Sequence, residues 1–89
     1  IYTMKFEFDL KKSSANQQKH GIDFVEAQVL WDDENRIQYP ALTVDEKRFI
    51  LIGLIDRKHR TAIYTIRNEQ SRIISVRRSR KEEVDLYEG

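Results

Sequence analysis

Alternation of apolar and polar residues predicts strands at the start of the chain and through most of its second half. In "MKFEFDL", Phe6 and Phe8 share one face and Glu7 lies on the other, which is the period of a half-buried strand. "NRIQYPALT" predicts a short edge strand, since Pro40 cannot donate to a ladder. "KRFILIGLI" is apolar on both faces and predicts a central strand that is covered on each side or closely paired. "TAIYTIR" and "SRIISVR" complete a meander through the loop "NEQS".

Three other segments carry the start and stop signals of helices. "LKKSSANQQKH" contains no proline or glycine and ends before Gly21, a residue suited to a helix C-terminus. In "DFVEAQVLWDD", Asp23 and Glu26 have the spacing of a capping box, and Ser79 and Glu82 repeat it in "SRKEEVDLYEG". The order β-α-α-β-β-β-β-α predicts an α+β fold. Its mostly antiparallel sheet of four to five strands has two N-terminal helices on one side and a short C-terminal helix.

The register of the "NEQS" hairpin decides which arginines share a face, because side chains alternate along a strand. An even loop would group Arg67 with Arg78 and mix charge into an apolar row. An odd loop separates polar from apolar residues, as a one-sided sheet requires, and is therefore favoured; a bulge would change this grouping. The odd loop places on one face Ile63, Thr65, Arg67, Ile73, Ser75 and Arg77, and on the other Ala62, Tyr64, Ile66, Ile74 and Val76.

Length and composition indicate one soluble domain. The chain has 89 residues, of which 39% are hydrophobic and 35% charged, enough for one core under a densely charged surface. Residues 1–3 precede Met4 and are expected to be a remnant of cloning, so the domain is placed at residues 4–89. Without cysteine there is no disulfide, no thiolate nucleophile and no Cys-based zinc site. No apolar run approaches the roughly 20 residues of a membrane span and no signal peptide opens the chain, so a cytoplasmic protein is expected.

The charges are unevenly distributed, although the net charge is only +1. One segment holds nine basic residues against a single acid, Glu69: Arg57, Lys58, Arg60, Arg67, Arg72, Arg77, Arg78, Arg80 and Lys81. The remaining residues hold seven Lys or Arg and fourteen Asp or Glu. Such a split is typical of a surface that binds polyanions. Lysine and arginine on strand edges also discourage aggregation, however, and charge alone favours neither interpretation.

Arginine forks match phosphate oxygens and stay charged, but they cannot transfer protons. A site that cleaves RNA also needs a base for the 2′-OH and an acid for the leaving 5′ oxygen. The chain offers few such groups: Lys19, His20, His59, Tyr64, Tyr87, Glu82 and Glu83. Each of these residues also has a structural interpretation. His20 could complement a helix dipole, and Glu82 and Glu83 could cap a helix. Two isolated histidines, no Gly-rich loop and no calcium-loop spacing in "WDDEN" give no sign of a metal site or a cofactor.

Several stretches together resemble one protein family. "KHGIDFVEAQVLWDD", "DEKRFILIGLI", "YTIR" and "RIISVRRSRKEEVDLYE" stand here in the order typical of the BrnT toxins. These toxins belong to bacterial type II toxin–antitoxin modules and form a branch of the RelE/ParE-like group. The resemblance extends from Met4 to the C-terminus. The chain departs from the family's pattern at Ser79, where a small apolar residue is common, and in "FEFDL", which lacks a tryptophan found in many relatives.

The resemblance implies an endoribonuclease that arrests growth and acts without a metal. We hypothesise that the RNA 2′-OH attacks the adjacent phosphorus and leaves a 2′,3′-cyclic phosphate and a 5′-OH. The resemblance also implies a curved antiparallel sheet backed by two N-terminal helices. The implied partner is a cognate BrnA-like antitoxin, and the toxin contacts operator DNA only through this antitoxin. The implied catalytic residues are Lys19, His20, Arg67, Arg77, Arg78, Glu83 and Tyr87. The basic side chains expected to bind RNA are Arg57, Lys58, Arg60, Arg72, Arg80 and Lys81. A homodimer or a toxin–antitoxin hetero-oligomer agrees with these expectations.

A non-enzymatic protein is the alternative. ParE-like relatives act on a topoisomerase rather than on RNA, so the basic face could bind a protein partner or nucleic acid without cleaving it. RNA binding without product, or arginine variants that lose only partner binding, would favour this alternative.

Overall fold

The computed structural model describes residues 5–42 and 46–89, and the expected remnant at residues 1–3 lies outside these ranges. The described residues form five strands: β1 (Phe6–Glu7), β2 (Ile37–Pro40), β3 (Phe49–Ile55), β4 (Lys58–Arg67) and β5 (Gln70–Arg78). They also form the α-helices α1 (Leu10–His20) and α2 (Lys81–Glu88), and a 3-10 helix over Glu26–Asp32. The predicted α+β class is confirmed. No helix in these two ranges is both long and apolar enough to cross a membrane.

The strands form one mixed sheet in the order β1-β5-β4-β3-β2, with β2 at an edge as predicted. Three neighbouring pairs are antiparallel, whereas β1 runs parallel to β5. The prediction of a mostly antiparallel sheet is therefore confirmed only in part. The parallel pair arises because α1 and the 3-10 helix carry the chain from β1 across the sheet to β2. Three antiparallel connections then return β5 to the side of β1.

The second predicted helix is a 3-10 helix, so the expectation of an α-helix is wrong. The predicted contact between Asp23 and Glu26 is present, because the Asp23 carboxylate accepts a hydrogen bond from the Glu26 amide at 2.8 Å. The N-cap of the helix is nevertheless Val25, which makes no side-chain capping bond. Phe24, Ala27 and Leu30 are fully buried. Phe24 precedes the helix, whereas Ala27 and Leu30 lie within it at a spacing of three, the repeat at which residues of a 3-10 helix align. The tighter helix therefore places Ala27 and Leu30 in one line.

The β4–β5 hairpin has an even loop, so the predicted odd loop is wrong. Asn68 and Glu69 form a two-residue turn with positive φ at both positions, the twist that joins antiparallel strands most easily. A β-bulge then shifts the register between Ile63 and Tyr64, leaving Ile74 as the extra residue of β5. The two halves of the hairpin thus follow different registers.

The bulge decides which side chains share a face. Ile73, which was expected beside Arg67, instead pairs with Tyr64 and is buried in the core. Beyond the bulge, Arg77 pairs with Thr61 and so lies on the face of Arg67, as the odd loop would have placed it. The predicted grouping of Arg67 with Arg77 is therefore correct, although the predicted loop is not.

The C-terminal helix α2 begins one residue later than predicted. Its N-cap is Arg80, and the carboxylate that accepts from the Arg80 amide, at 2.7 Å, belongs to Glu83 rather than to Glu82. Ser79, the predicted cap, instead shares a hydrogen bond of 2.7 Å with the Thr61 hydroxyl. Because Thr61 points away from the main core, this contact places α2 on the face of the sheet opposite to α1.

The main core lies between the sheet on one side and α1 with the 3-10 helix on the other. Its buried residues are Ile22, Phe24, Ala27, Leu30, Trp31, Leu51, Ala62, Tyr64, Ile73 and Val76. The buried residues of α1 itself are polar, Ser13 and Asn16. The Asn16 side-chain amide donates to the carbonyls of Val76 and Ile22, both at 2.8 Å, and its oxygen accepts from the Val76 amide at 3.2 Å. This one side chain thus takes the place of a neighbouring strand along the edge of β5.

We expect Asn16→Ala to lower the free energy of unfolding by about 3 kcal/mol, because each buried group left unsatisfied costs about 1–3 kcal/mol. Chemical denaturation measures this loss. Gln17→Ala, on the exposed side of α1, is the matched control and should change stability by less than about 0.5 kcal/mol. Equal stability of the two variants would show that Asn16 does not hold α1 to β5.

Candidate nucleic-acid interface

Most of the predicted site residues gather at one end of the sheet, where the C-terminus of α1, the start of β4 and the end of β5 meet. Arg60 donates to the backbone carbonyl of His20 at 3.1 Å and pairs with Arg78 in the ladder. The Ser79 amide donates to the carbonyl of His59 at 3.1 Å. We call this region the basic end; it contains Lys19, His20, Arg57, Lys58, Arg60, Arg77, Arg78, Arg80 and Lys81.

Two predicted arginines lie at the opposite end of the sheet. Arg67 is six residues along β4 from Thr61, the partner of Arg77, a separation of about 20 Å. Arg67 forms an ion pair with Glu46 at 3.2 Å, and Arg72 forms one with Glu7 at 2.8 Å. Arg67 and Arg77 share a face, but the structure does not bring them together.

The sheet divides the basic end into two sides. Lys58, Arg60 and Arg78 share the face that carries α1, whereas Arg77 and Thr61 share the face that carries α2. The consecutive residues Arg77 and Arg78 therefore lie on opposite sides of the sheet. The two arginines cannot act on the same phosphate from one surface.

On the α2 side, Arg77 forms a bidentate ion pair with Glu83. The guanidinium Nη1 donates to Oε1 at 2.7 Å and Nη2 donates to Oε2 at 2.9 Å. The side chains of Arg77 and Glu83 are only 19% and 11% exposed. Glu83 also accepts hydrogen bonds from the Thr61 hydroxyl at 3.1 Å and from the Arg80 amide at 2.7 Å. One carboxylate thus joins β4, β5 and α2.

These contacts determine the protonation state of Glu83. Burial alone would raise the pKa of its carboxyl group, but the hydrogen bonds from Arg77, Arg80 and Thr61, with the charge of Arg77, outweigh burial and lower the pKa to about 2. The hydrogen bond to Glu83 in turn raises the pKa of Arg77. Glu83 is therefore an anion near neutral pH and is unsuited to proton transfer there.

Tyr87, one turn further along α2, is also held in place. Its hydroxyl donates to Asp33 Oδ2 at 2.7 Å, and its ring meets His59 edge to face at 5.3 Å between centroids. Burial, together with the hydrogen bond to Asp33, raises the pKa of Tyr87 to about 12. His59 in turn contacts Glu88 at 2.7 Å. Tyr87 is thus a neutral phenol whose proton is already engaged.

Asp33 is a site residue that the sequence pattern did not reveal. The "WDDEN" segment suggests only a helix end and a solvated turn. In the structure, Asp33 accepts from the Leu54 amide at 2.9 Å and from the Asn35 amide at 2.9 Å as well as from Tyr87. Burial would raise the pKa of Asp33, but these hydrogen bonds and the charge of Arg36 lower it. The only local signal for this role is Asn35, two residues after an aspartate.

Lys19 and His20, two of the candidates for proton transfer, lie on the α1 side. Lys19 is exposed, and neither its ammonium nor the half-buried His20 ring has an ion pair or hydrogen bond within residues 5–42 and 46–89. Both stand in the last turn of α1, which ends at Gly21 in the left-handed conformation with φ of 76°. Among the described residues, no group of three or more His, Cys, Asp or Glu could hold a metal ion.

Because the pKa of Glu83 is lowered in the folded state, the free energy of unfolding decreases at acidic pH. Its folded-state pKa falls from an ordinary 4.5 to about 2, so the stabilisation is complete above about pH 4.5 and is lost as the pH falls towards 2. The loss amounts to at most about 3 kcal/mol. We expect the unfolding free energy of the wild type to decline more steeply between pH 5 and 2 than that of Glu83→Gln. Parallel profiles in urea denaturation would contradict this role.

Comparison with known protein families identifies the family to which the chain belongs. A family model described as ribonuclease toxin, BrnT, of type II toxin–antitoxin system matches residues 8–83. A search of curated proteins finds no match to the chain. The matched range covers most of the chain and includes the bidentate pair of Arg77 and Glu83, but it stops before Tyr87. The chain therefore belongs to the BrnT family of ribonuclease toxins of type II toxin–antitoxin systems.

Proposed function

We propose that this protein is a toxin that cleaves RNA at the basic end without a metal ion. The observation that carries the proposal is a set of cations with no carboxylate partner. Among the described residues, six of the predicted site cations form no ion pair: Lys19, Arg57, Lys58, Arg60, Arg78 and Arg80. Arg67 and Arg72, at the other end of the sheet, each hold a glutamate. Unpaired cations can bind RNA phosphates without first breaking an internal ion pair.

The α1 side supplies the chemistry in this proposal. Arg60 and Arg78 hold the non-bridging oxygens of the scissile phosphate and stabilise the charge that develops there. Lys19 and His20, beside Arg60, transfer the protons. The 2′-OH loses its proton as its oxygen attacks phosphorus, the bond to the 5′ oxygen breaks, and that oxygen is protonated. The products are a 2′,3′-cyclic phosphate and a 5′-OH.

The α2 side has a positioning role. Glu83 remains ionised and Tyr87 remains neutral and bonded to Asp33, so neither is assigned a proton transfer. Their contacts instead hold Arg77 at the margin of the basic end, where it can reach a phosphate next to the one that is cleaved. Arg67 and Arg72 are outside the catalytic set in this proposal, because both lie towards the other end of the sheet and each is paired with a glutamate.

As a type II toxin, the protein has an antitoxin as its partner. We infer that this antitoxin is BrnA-like, that it binds operator DNA itself, and that the toxin acts in the cytoplasm. The basic end supports this inference, because an antitoxin that covers it with acidic residues would block RNA and neutralise the unpaired cations at once.

We expect Arg78→Ala to slow cleavage of single-stranded RNA by about 100-fold or more, since one donor to a developing charge is worth that much. Arg67→Ala removes another exposed arginine, at the other end of the sheet, and should stay within about twofold of the wild type. Both are assayed with EDTA present, with product ends identified by mass. A DNA oligonucleotide of the same sequence should remain intact because it lacks the 2′-OH.

Equal losses in both arginine variants would remove the basic end from the proposal. Cleavage by the wild type that requires a divalent metal would contradict the mechanism. A folded wild type that binds RNA without cleaving it would favour the non-enzymatic alternative.

The two histidines of the chain offer a matched test of proton transfer. We expect His20→Gln to lower kcat by about 100-fold or more, whereas His59→Gln, which can still bond Glu88, should keep kcat within about threefold. Single-turnover cleavage at several pH values measures both. If Lys19→Met loses activity and His20→Gln keeps it, the proton transfers belong to the lysine and the role of His20 is contradicted.

A further inference from the structure

An open row of side chains runs beside α2, on the face of the sheet that carries Arg77. The strand register places these residues side by side across β2, β3, β4 and β5, and all are partly exposed. We call this row the strip; it consists of Tyr39, Ile50, Ile63 and Ser75. The next row on the same face includes Ile52 and Thr61, which are fully buried on the side covered by α2. The strip therefore lies along the margin of that helix.

Arg77 stands next to the strip and has donors to spare. A guanidinium has five N–H groups. Nη1 donates to Glu83 and to the Arg78 carbonyl, and Nη2 donates once, to Glu83. The Nε–H and the second Nη2–H have no acceptor among the described residues. The Nε–H and the free Nη2–H lie on the same side of the guanidinium and can bind two oxygens of one phosphate. Glu83 therefore orients the guanidinium but leaves this side of it free to bind a ligand.

Tyr39, at the outer end of the strip, makes no contact with another aromatic ring within residues 5–42 and 46–89. Its hydroxyl has no hydrogen-bond partner in the part of the chain that the structure describes. Tyr64 and Tyr87, by contrast, use both the hydroxyl and the ring in internal contacts. Burial raises the pKa of Tyr39, the charge of Glu83 adds to the rise and Arg77 opposes it. The phenol thus lies within electrostatic reach of the Arg77–Glu83 pair.

We propose that Tyr39 stacks on a base of single-stranded RNA while the free donors of Arg77 hold a neighbouring phosphate. This inference rests on the proposed function and extends it to the substrate class. An aromatic ring beside a cationic track is the usual means of binding unpaired nucleotides, and every base can stack on it. Ile50 and Ile63 give the sugar an apolar floor between the two. Bases within a duplex are stacked on each other, so the strip accepts unpaired RNA.

The test separates binding from cleavage. The probe is a short oligonucleotide made uncleavable by a 2′-deoxy substitution and labelled with 2-aminopurine, whose fluorescence is quenched by stacking. Tyr39→Leu should weaken binding about 5- to 100-fold and abolish the quench, since stacking of one base is worth about 1–3 kcal/mol. Tyr39→Phe keeps the ring and should bind within about twofold of the wild type with the quench intact. On cleavable RNA, Tyr39→Leu should raise KM more than it lowers kcat.

Several outcomes decide the matter. If Tyr39→Leu binds the RNA probe as tightly as the wild type and quenches it equally, the inference is overturned. It is also overturned if the wild type binds an acidic peptide more tightly than the RNA probe and Tyr39→Leu weakens only the binding of the peptide. If Tyr39→Leu is unfolded by thermal melting, Tyr39→Thr, which suits an edge strand, replaces it. A wild type that shows the Tyr39-dependent quench but never cleaves RNA would contradict the proposed function alone. Cleavage that is indifferent to Tyr39 would contradict this inference alone.

Discussion

The bidentate contact between Arg77 and Glu83 is the constraint on which the candidate site depends. The chain turns from β5 into α2 within two residues, and this contact spans the turn. Because both side chains are largely removed from water, neither charge would be tolerated there alone. Glu83 also bonds the first turn of its own helix and reaches Thr61 in β4. The Glu83 carboxylate, which is ionised at any pH near neutrality, therefore fixes α2, β4 and the Arg77 guanidinium relative to one another.

The elements with local signals could be predicted from the sequence. Gly21 does end α1, the carboxylate of Asp23 does accept a hydrogen bond from the Glu26 amide, and the strand that Pro40 ends does lie at the edge of the sheet. Each of these outcomes depends on residues within a few positions of one another. The 3-10 helix has no such distinguishing signal, because the spacing of three between Ala27 and Leu30 also places two residues on one face of an α-helix.

The remaining features depend on contacts between distant segments. Ser79 has the spacing of a cap, yet its hydroxyl bonds Thr61, eighteen residues earlier, and the cap moves to the next residue. The bulge in β5 is a further case, since only the packing of Ile73 in the core shows that the register must change. Asp33 has no distinguishing local pattern for the contacts that it makes with Leu54 and Tyr87.

The sequence indicates which cations and proton-transfer candidates the chain contains, but not where the sheet places them. The cations identified by composition do collect, but the sheet separates Arg77 from Arg78 and puts Arg67 at the far end. The family resemblance implies that Arg77 and Arg78 act together, whereas alternation along a strand places them on opposite faces. The division assigns the proton-transfer candidates, Lys19 and His20, to one side and the fixed carboxylate to the other.

The bulge at Ile74 has a consequence for how the protein tolerates errors in strand pairing. A hairpin that formed without it would turn every later residue of β5 to the other face, which in most proteins would destroy a site. Here Arg77 would move to the face of Arg78, opposite Arg60, and Arg78 would move to the other face, opposite His59. Each face of the sheet would still end in an arginine. The doubled residue therefore protects the distribution of charge against a slip of one position, a safeguard that a single arginine could not provide.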